Sequence, residues 1–317
     1  MKHYRIVLLG LFTISLSLLL GSCEKDEEII ERTEWVLSWS DEFDTPTEDG
    51  KPDPSKWVHE TGATGNGNQE LQNYTDRVEN ASYVTYNNLG CLKITALEDN
   101  YEGVTYSSAR IKSEGLFEQK YGRFEARLML PYGPGIWPAF WLLGANYATD
   151  EWPACGEIDI MENKGYQPNI VSSALHLPGH SAGNAITQTF GYEKQRFDTD
   201  FHVFAAEWDE TKIDFFVDNV LYKRVKAVDV TDGEWVFDHP FFIILNVAVG
   251  GTFGGNPTED TVFPQSMYVD YVRVYRKSTS PEQPGAAGGD VSSNGTIGSW
   301  DFNGADSDKG LLEPDLN

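Results

Sequence analysis

Residues 121–130, which read Tyr-Gly-Arg-Phe-Glu-Ala-Arg-Leu-Met-Leu, indicate the fold class of this chain. From Phe124 onward every second side chain is apolar, whereas Glu125 and Arg127 occupy positions between them. A period of two places the apolar side chains on one face of a β-strand and the charged ones on the other. The stretch therefore predicts a strand with one face against a core and the other toward solvent.

Runs of the same kind extend on both sides of this strand, from Trp35 to Tyr275. Two of them flank Asp218-Asn219, a dipeptide typical of a tight hairpin turn. Residues 241–249 are almost all apolar, which is typical of a strand covered on both faces. About a dozen such runs, with no long amphipathic helix between them, favour a single antiparallel β-sandwich.

The composition limits the partners that this protein can have. The chain of 317 residues carries a net charge of −25, and 40% of its residues are hydrophobic. This apolar content is too high for a disordered chain. Because nucleic-acid binding requires clustered Lys and Arg that neutralise phosphates, the acidity excludes nucleic acid as the expected partner. A neutral partner is compatible with the composition.

Residues 1–22 predict a signal peptide. Lys2 and Arg5 form a short positive segment, and residues 6–20 form an apolar run that is too short for a comfortable membrane span. The Leu-Gly-Ser-Cys that follows resembles a bacterial lipobox, which implies cleavage before Cys23 and lipidation of that cysteine. The alternative is an ordinary signal peptide with an incidental cysteine.

Two segments, residues 23–33 and 278–317, are predicted to flank the folded domain. The first is an acidic tether that resembles signals directing some Bacteroidetes lipoproteins to the cell surface, and a solvated spacer is the alternative. The second begins as a flexible linker rich in Ser, Pro and Gly and continues as a tail of low order. We therefore expect an exported protein that contacts the outer membrane only through a lipid anchor on Cys23, with exposure at the cell surface as one outcome.

The residues that can perform chemistry are concentrated in residues 155–163, Cys-Gly-Glu-Ile-Asp-Ile-Met-Glu-Asn. A regular strand places Glu157 and Asp159 on one face and turns Glu162 away, but one β-bulge at residues 160–161 would return Glu162 to their face. Three carboxylates on one short strand repel one another, so this arrangement lowers stability unless a proton or a ligand is held there. Glycoside hydrolysis with retention needs two carboxyl groups about 5–5.5 Å apart, which this strand could supply.

This segment resembles glycoside hydrolase family 16, and within it the laminarinase-like β-1,3-glucanases. The family signature in its bulged form, E-[ILV]-D-[IVF]-x-E, is met by residues 157–162, and the additional residue Met161 distinguishes the laminarinase-like branch from the lichenase type. The resemblance implies that Glu157 is the nucleophile and Glu162 the general acid and base. Asp159 would be the assisting carboxylate.

The resemblance spans residues 34–277 and implies a catalytic domain with a jelly roll of the concanavalin A type. Such a domain has two curved antiparallel sheets and a concave substrate cleft. The implied activity is endo-hydrolysis of β-1,3 linkages in laminarin-type glucan, with retention, by a monomer that needs no organic cofactor. Mixed-linkage β-1,3-1,4-glucan or an algal galactan is an alternative substrate, and transglycosylation is an alternative outcome. From another class of protein, the alternative is a surface lipoprotein that binds glycan without cleaving it.

Tryptophans near the catalytic segment are candidates for sugar binding. In residues 135–143, Trp137 and Trp141 resemble the cleft tryptophans of the family. Indole faces bury the apolar C–H faces of sugars without needing charge, so these two residues are predicted to bind substrate. Trp152, which directly precedes the catalytic strand, stays ambiguous between core and cleft.

Polar side chains on two other segments are further candidates. The sequence after Gly65 resembles the family segment G-N-x-E-x-Q-x-Y-T, so Asn66 is predicted to contact substrate, with Asn68 as the alternative, and Tyr74 to line the cleft. Arg110 matches a family strand that usually reads S-[AG]-R-[IL], and it is predicted to reach the substrate. A structural ion pair with an acidic residue is the alternative for Arg110.

Two residues on later strands complete the predicted substrate site. His176 matches a family histidine beside the nucleophile, where it could orient a carboxylate or bind sugar. Asn246 is a polar residue inside an apolar run, so it either satisfies buried backbone groups or points into the cleft.

A structural calcium ion is also implied by the resemblance, since members of this family often carry one away from the catalytic residues. Hard oxygen ligands suit calcium, and the resemblance offers Asp270, Glu42 and the carbonyl group of Gly90. The alternative is that Asp270 is an ordinary exposed acid.

Overall fold

The computed structural model describes residues 31–281, and it places side chains from 34 to 278. The predictions on the signal peptide, on Cys23 and on most of the tether and tail lie outside the described residues. Among the described residues no helix is long and apolar enough to span a membrane.

The described residues form seventeen β-strands and very little helix. The strands are β1 (Glu31–Asp41), β2 (Val58–Glu60), β3 (Gln72–Tyr74), β4 (Ala81–Tyr86), β5 (Leu89–Glu98), β6 (Tyr106–Ser108), β7 (Arg110–Lys112), β8 (Gly122–Met129), β9 (Ile136–Gly144), β10 (Glu157–Asn163), β11 (Ile170–His176), β12 (Ile186–Gly191), β13 (His202–Trp208), β14 (Lys212–Val217), β15 (Val220–Lys226), β16 (Phe241–Val249) and β17 (Gln265–Pro281). The helices are one α-helical turn, α1 (Gly251–Gly254), and 3₁₀ turns at Gly65–Gly67, Tyr101–Gly103, Ala182–Asn184 and Ala227–Asp229.

The strands assemble into two sheets that enclose one hydrophobic core. The seven-stranded sheet has the order β12-β11-β10-β9-β16-β7-β2. The ten-stranded sheet has the order β15-β14-β13-β8-β17-β5-β6-β3, with β1 beside β17 and β4 beside β5. The sandwich is therefore confirmed, with one departure from the prediction, because β3 pairs with β6 in parallel.

The strand predicted at residues 121–130 is confirmed in β8, where Phe124, Ala126 and Leu128 are completely buried in the core. Its other face is not open to solvent as predicted, because Glu125 is only 8% exposed. The predicted hairpin joins β14 and β15. Its two turn residues, Asp218 and Asn219, have φ angles of 49° and 65°, as a tight two-residue hairpin turn requires.

The first and last strands extend beyond the predicted domain boundaries. β1 begins at Glu31 and pairs with β17 as far as Pro281, whereas the sequence predicted a tether up to residue 33 and a linker from residue 278. Ser, Thr and Pro dominate the end of β17 and resemble a linker in composition. The pairing with β1 nevertheless satisfies their backbone groups.

The seven-stranded sheet places the acidic motif, because β10 lies between β9 and β11. Ile158 is completely buried in the core, as predicted, so its neighbours Glu157 and Asp159 face away from the core. The register of β10 shifts between Asp159 and Glu162, where Ile160 and Met161 are both buried. This is the predicted β-bulge, and it returns Glu162 to the face of the other two carboxyl groups. We call this side of the sheet the active-site face.

Candidate active site

Two tryptophans hold the outer carboxyl groups of β10. The indole N–H of Trp152 donates a hydrogen bond to Glu157 Oε2 at 2.7 Å. On the other side of the bulge, the indole N–H of Trp137 donates to Glu162 Oε1 at 3.0 Å. Each of the two glutamates is thus held by one neutral donor, which orients its carboxyl group without cancelling its charge.

His176 lies against the middle of the acidic strand. Its Nε2 atom is 3.1 Å from Asp159 Oδ2 and 3.9 Å from Glu157 Oε1. Its Nδ1 atom accepts the backbone N–H of Ala182 at 3.1 Å, so the neutral ring carries its proton on Nε2, facing the carboxyl groups. His176 therefore orients carboxyl groups, as the first of its two predicted roles requires.

Burial raises the pKa of all three carboxyl groups, and a neighbouring carboxylate raises each pKa further. The charge of Asp159 raises the pKa of Glu157, and the charge of Glu162 raises the pKa of Asp159. The charge of Glu157 in turn raises the pKa of Glu162. The pKa of Glu157 is raised to about 8 and the pKa of Glu162 to about 7. Among the described residues Asp159 Oδ2 has no partner with hydrogen-bond geometry, although His176 Nε2 lies 3.1 Å from it. The cluster therefore holds at least one proton near neutral pH and can both give and take one.

The same atoms also have the spacing of a cation site. One oxygen atom each from Glu157 and Asp159 and one ring nitrogen of His176 lie within 4.8 Å of one another. The three residues thus form a group that could hold a metal ion. The raised pKa values of Glu157 and Asp159 and the proton on His176 Nε2 equally suit the three residues to proton transfer.

Trp141 lies on the active-site face beside Asp159, with which it is paired across β9 and β10. Its indole N–H donates to Asn246 Oδ1 at 2.8 Å, and Asn246 Nδ2 donates to the hydroxyl oxygen of Tyr74 at 3.2 Å. Asn246 is only 3% exposed, but its side chain bonds two other side chains and not the buried backbone groups that one of its predicted roles required. It holds Trp141 rather than substrate.

Tyr74 does not line the cleft, in contrast to the prediction. Its side chain is only 1% exposed, and its hydroxyl group donates to Glu70 Oε2 at 3.2 Å. The period of β3 could not indicate this burial, because the residues of this three-residue strand are buried on both faces by neighbouring segments. The hydroxyl group of Tyr74 instead links Glu70 to Asn246 beneath the active-site face.

Arg110 forms the structural ion pair that was the alternative to its predicted contact with substrate, and that contact stays a prediction. Its Nη1 atom donates to Glu60 Oε1 at 2.9 Å, and its Nη2 atom lies 3.8 Å from Glu70 Oε1. The guanidinium carbon also lies 5.3 Å from the centre of the Trp141 ring. Arg110 is therefore an ion-paired residue that packs beside a predicted sugar platform.

Asn66 and Asn68 both turn toward the same buried acid. Asn66 Nδ2 donates to Glu70 Oε2 at 2.9 Å, whereas Asn68 Nδ2 reaches Glu70 Oε1 at 3.5 Å. Both asparagines are half-buried, so the contact of Asn66 with substrate stays a prediction.

Two residues of this region were missed or left undecided by the sequence. Trp152 is 45% exposed and donates a hydrogen bond to Glu157, so it belongs to the site. Its position five residues before Glu157 was the feature of the sequence that could have indicated this. Glu70 is 7% exposed and receives several hydrogen bonds, although only its place in the Asn66–Thr75 motif marked it.

The predicted calcium ligands do not fit a calcium site in this structure. Asp270 accepts a hydrogen bond from Arg127 at 2.7 Å, and Glu42 accepts hydrogen bonds from Arg273 at 2.8 to 3.2 Å. Each carboxylate is therefore already neutralised by an arginine, which leaves the carbonyl group of Gly90 without a charged partner ligand. We derive no role for calcium from these residues.

A β-sandwich with two half-buried glutamates of raised pKa beside three indole rings has the features of a glycoside hydrolase that works with paired carboxyl groups. Comparison with known proteins agrees, since residues 68–273 match the model of glycosyl hydrolases family 16. The chain belongs to this family.

Individual relatives resemble most of the described chain. A beta-glucanase of Rhodothermus marinus is 43% identical over 81% of this chain and 90% of its own length. The solved laminarinase catalytic domain of Thermotoga maritima MSB8 has a TM-score of 0.71 and 46% identity, covering 77% of this chain and 98% of its own. The laminarinase of Rhodothermus marinus has a TM-score of 0.71 and 42% identity, covering 78% and 99%. These matches confirm the predicted jelly roll.

Proposed function

We propose that this protein is a retaining endo-β-1,3-glucanase that hydrolyses laminarin-type glucan. The observation that carries the proposal is the position of Glu157 and Glu162 on one face of β10, separated by the bulge and held by different indole N–H groups. The names of the most similar relatives support the substrate class, because they include laminarinases and a beta-glucanase.

The arrangement supports a double displacement at the anomeric carbon. Protonated Glu162 donates its proton to the leaving glycosidic oxygen while ionised Glu157 attacks the anomeric carbon. Because the pKa values of Glu157 and Glu162 lie close together, at about 8 and about 7, a fraction of the molecules has this protonation state near neutrality. Glu162 then takes a proton from water, which attacks the glycosyl-enzyme and restores Glu157. Asp159 raises the pKa of Glu157 through its charge and through the hydrogen bond that the two carboxyl groups share, so the pair holds a proton between them. No metal ion or organic cofactor is part of the proposed reaction.

A neutral substrate fits the charges of the site better than a sulfated galactan. The cluster of three acids repels sulfate groups. Arg110 gives little compensation, because Glu60 and Glu70 already lie beside its guanidinium group. Mixed-linkage glucan is also neutral and stays the closest alternative substrate.

A panel of polysaccharides tests this proposal directly. Protein spanning residues 24–317 would be incubated with laminarin, lichenan, barley β-glucan, agarose and carrageenan, and reducing ends and product sizes would be measured. We expect the highest rate on laminarin, with oligosaccharides of several lengths appearing early. A preference for agarose or carrageenan would contradict the proposal. Tight binding without cleavage of any polymer would favour the glycan-binding alternative.

We also propose that the protein is a monomer that reaches the outer membrane as a lipoprotein anchored through Cys23. The lipobox and the apolar run before it support this proposal. In cells, Cys23→Ala should move the protein from the membrane fraction to the soluble fraction and abolish a lipid-sized increase in the mass of its N-terminal peptide. An unchanged distribution and mass would contradict lipidation at this residue.

A further inference from the structure

Glu70 is a buried acid beneath the active-site face, and it only accepts hydrogen bonds. Its Oε2 atom receives the amide of Asn66 at 2.9 Å, the amide of Gln72 at 2.6 Å and the hydroxyl of Tyr74 at 3.2 Å. Three donors converge on one oxygen atom of a side chain that is 7% exposed. In a glutamine at this position one of the two acceptor atoms becomes an NH2 donor, which faces either these three donors or Asn68 Nδ2 and Arg110 Nη2.

A chain of hydrogen bonds connects this carboxylate to Trp141. The Trp141 indole can only donate, and it donates to Asn246 Oδ1, which fixes the orientation of that amide. Asn246 Nδ2 then donates to the hydroxyl oxygen of Tyr74, so the hydroxyl proton is directed to Glu70. Each hydrogen bond of this relay therefore has a fixed donor and a fixed acceptor. The orientation of the indole is therefore tied to the acceptor at its far end.

The same carboxylate also confines Arg110. Its guanidinium carbon lies 4.9 Å from the centre of the Tyr74 ring and 5.3 Å from the centre of the Trp141 ring, while Glu70 Oε1 lies 3.8 Å from Nη2. The guanidinium group is thus held between two aromatic rings and one buried charge. Glu70 is thus a common support of Trp141 on β9 and Arg110 on β7, and Glu60 bonds Arg110 in addition.

We propose that Glu70 is a positioning residue that sets Trp141 and Arg110 for glucan binding without taking part in bond cleavage. The inference rests on the proposed function for its substrate. In the hydrogen bonds and ion pairs of the described residues, Glu70 has no direct link to Glu157 or Glu162. Its loss should therefore weaken substrate binding and leave the chemical step nearly intact.

The test compares Glu70→Gln with a matched control, Glu125→Gln. Glu125 is 8% exposed and accepts hydrogen bonds from Arg123 and from the Tyr275 hydroxyl, but it lies in the ten-stranded sheet. On laminarin-type oligosaccharides we expect Glu70→Gln to raise KM about tenfold with kcat within about threefold of the original. The control should lose thermal stability to a similar degree, with KM within about twofold of the original.

Three kinetic results would overturn the proposal. One is an unchanged KM in Glu70→Gln, the second is a loss confined to kcat, and the third is an equal rise of KM in the control. Should Glu70→Gln not fold, Tyr74→Phe decides the matter, because it removes only the hydroxyl group in the middle of the relay. Tyr74→Phe should raise KM about threefold to tenfold, and an unchanged KM would refute the relay.

A readout without substrate separates this proposal from the proposed function. In protein labelled with 5-fluorotryptophan, the fluorine resonance of Trp141 can be assigned by its absence from Trp141→Phe. We expect that resonance to shift in Glu70→Gln and Tyr74→Phe and to stay unchanged in Glu125→Gln. An unshifted resonance in both relay variants would refute the positioning role, whatever the enzyme cleaves. A shifted resonance in a protein inactive on β-1,3-glucan would refute only the proposed substrate.

Discussion

Two groups of buried acids in this protein behave in opposite ways. Asp214 on β14 is 1% exposed and accepts two hydrogen bonds from Arg224, at 2.6 and 2.8 Å, and one from Lys212. Burial would raise its pKa, but these cationic donors outweigh burial, and the pKa lies below its ordinary value. On β10, Glu157 and Glu162 each receive one neutral indole donor, and burial together with mutual repulsion raises their pKa values.

The difference separates acids that stabilise the fold from acids that perform chemistry. A carboxylate neutralised by arginine and lysine cannot exchange a proton near neutral pH, so it is useful only as a structural contact. The acids of β10 lack such partners, which lowers stability but leaves a proton available at the active-site face. Four predictions test this contrast, beginning with the largest effect.

Glu157→Gln should abolish hydrolysis, with kcat on laminarin reduced by at least about 10⁴-fold, because the variant cannot attack the anomeric carbon. Reducing-end release would measure the rate, and binding of the polysaccharide to the variant should persist. Turnover within about tenfold of the original enzyme would contradict the assigned nucleophile.

Asp214→Asn should affect stability and spare activity. Loss of the charge leaves two cations without their acceptor, but both are partly exposed, so we expect a decrease of about 2–3 kcal/mol in the free energy of unfolding. Urea titration would measure this decrease, and kcat/KM at pH 6 should stay within about twofold. A variant as stable as the original protein would show that Asp214, with its cationic partners, does not stabilise the fold.

Glu162→Gln should change how stability depends on pH. Glu162 has an ordinary pKa near 4.5 when unfolded and about 7 when folded, so between these values the folded protein holds a proton that the unfolded chain releases. The stability of the original protein therefore decreases as pH rises through this window, and the variant lacks that contribution. The free energy of unfolding of the variant, relative to that of the original protein, should increase by about 1–2 kcal/mol between pH 5 and pH 8. Unfolding of both proteins at the two pH values would measure it. An equal difference at both pH values would argue against the proton on Glu162.

Trp152→Phe should produce the smallest effect, a decrease in kcat/KM of about fivefold. The indole N–H lowers the pKa of Glu157, so its removal raises that pKa. The pKa of Glu157 is about 8, so the limb of the pH profile that reflects Glu157 should move to higher pH. The limb that reflects Glu162 near pH 7 should stay in place. Movement of the limb near pH 7 alone would contradict the contact assigned to Trp152.

The features that the sequence predicted correctly are those encoded by neighbouring residues. Alternation in β8, the Asp218-Asn219 turn and the bulge before Glu162 each depend on a few consecutive side chains. The acidic motif could therefore be placed on one sheet face without knowledge of distant contacts.

The features that could not be predicted depend on segments far apart in the chain. Tyr74 is buried where β3 meets β16, and there Asn246 Nδ2 donates a hydrogen bond to its hydroxyl oxygen. Asp270 meets Arg127 across the pairing of β17 with β8, so its ion pair left no trace in either local sequence. The extension of β17 to Pro281 likewise follows from its pairing with β1.

The most direct test of the central claim is the anomeric configuration of the first products from laminarin, followed by proton NMR before mutarotation. If Glu157 attacks the anomeric carbon and Glu162 then delivers water to the same face, the β-anomer of the new reducing end should appear first. Initial release of the α-anomer would contradict the double displacement and the roles assigned to both residues.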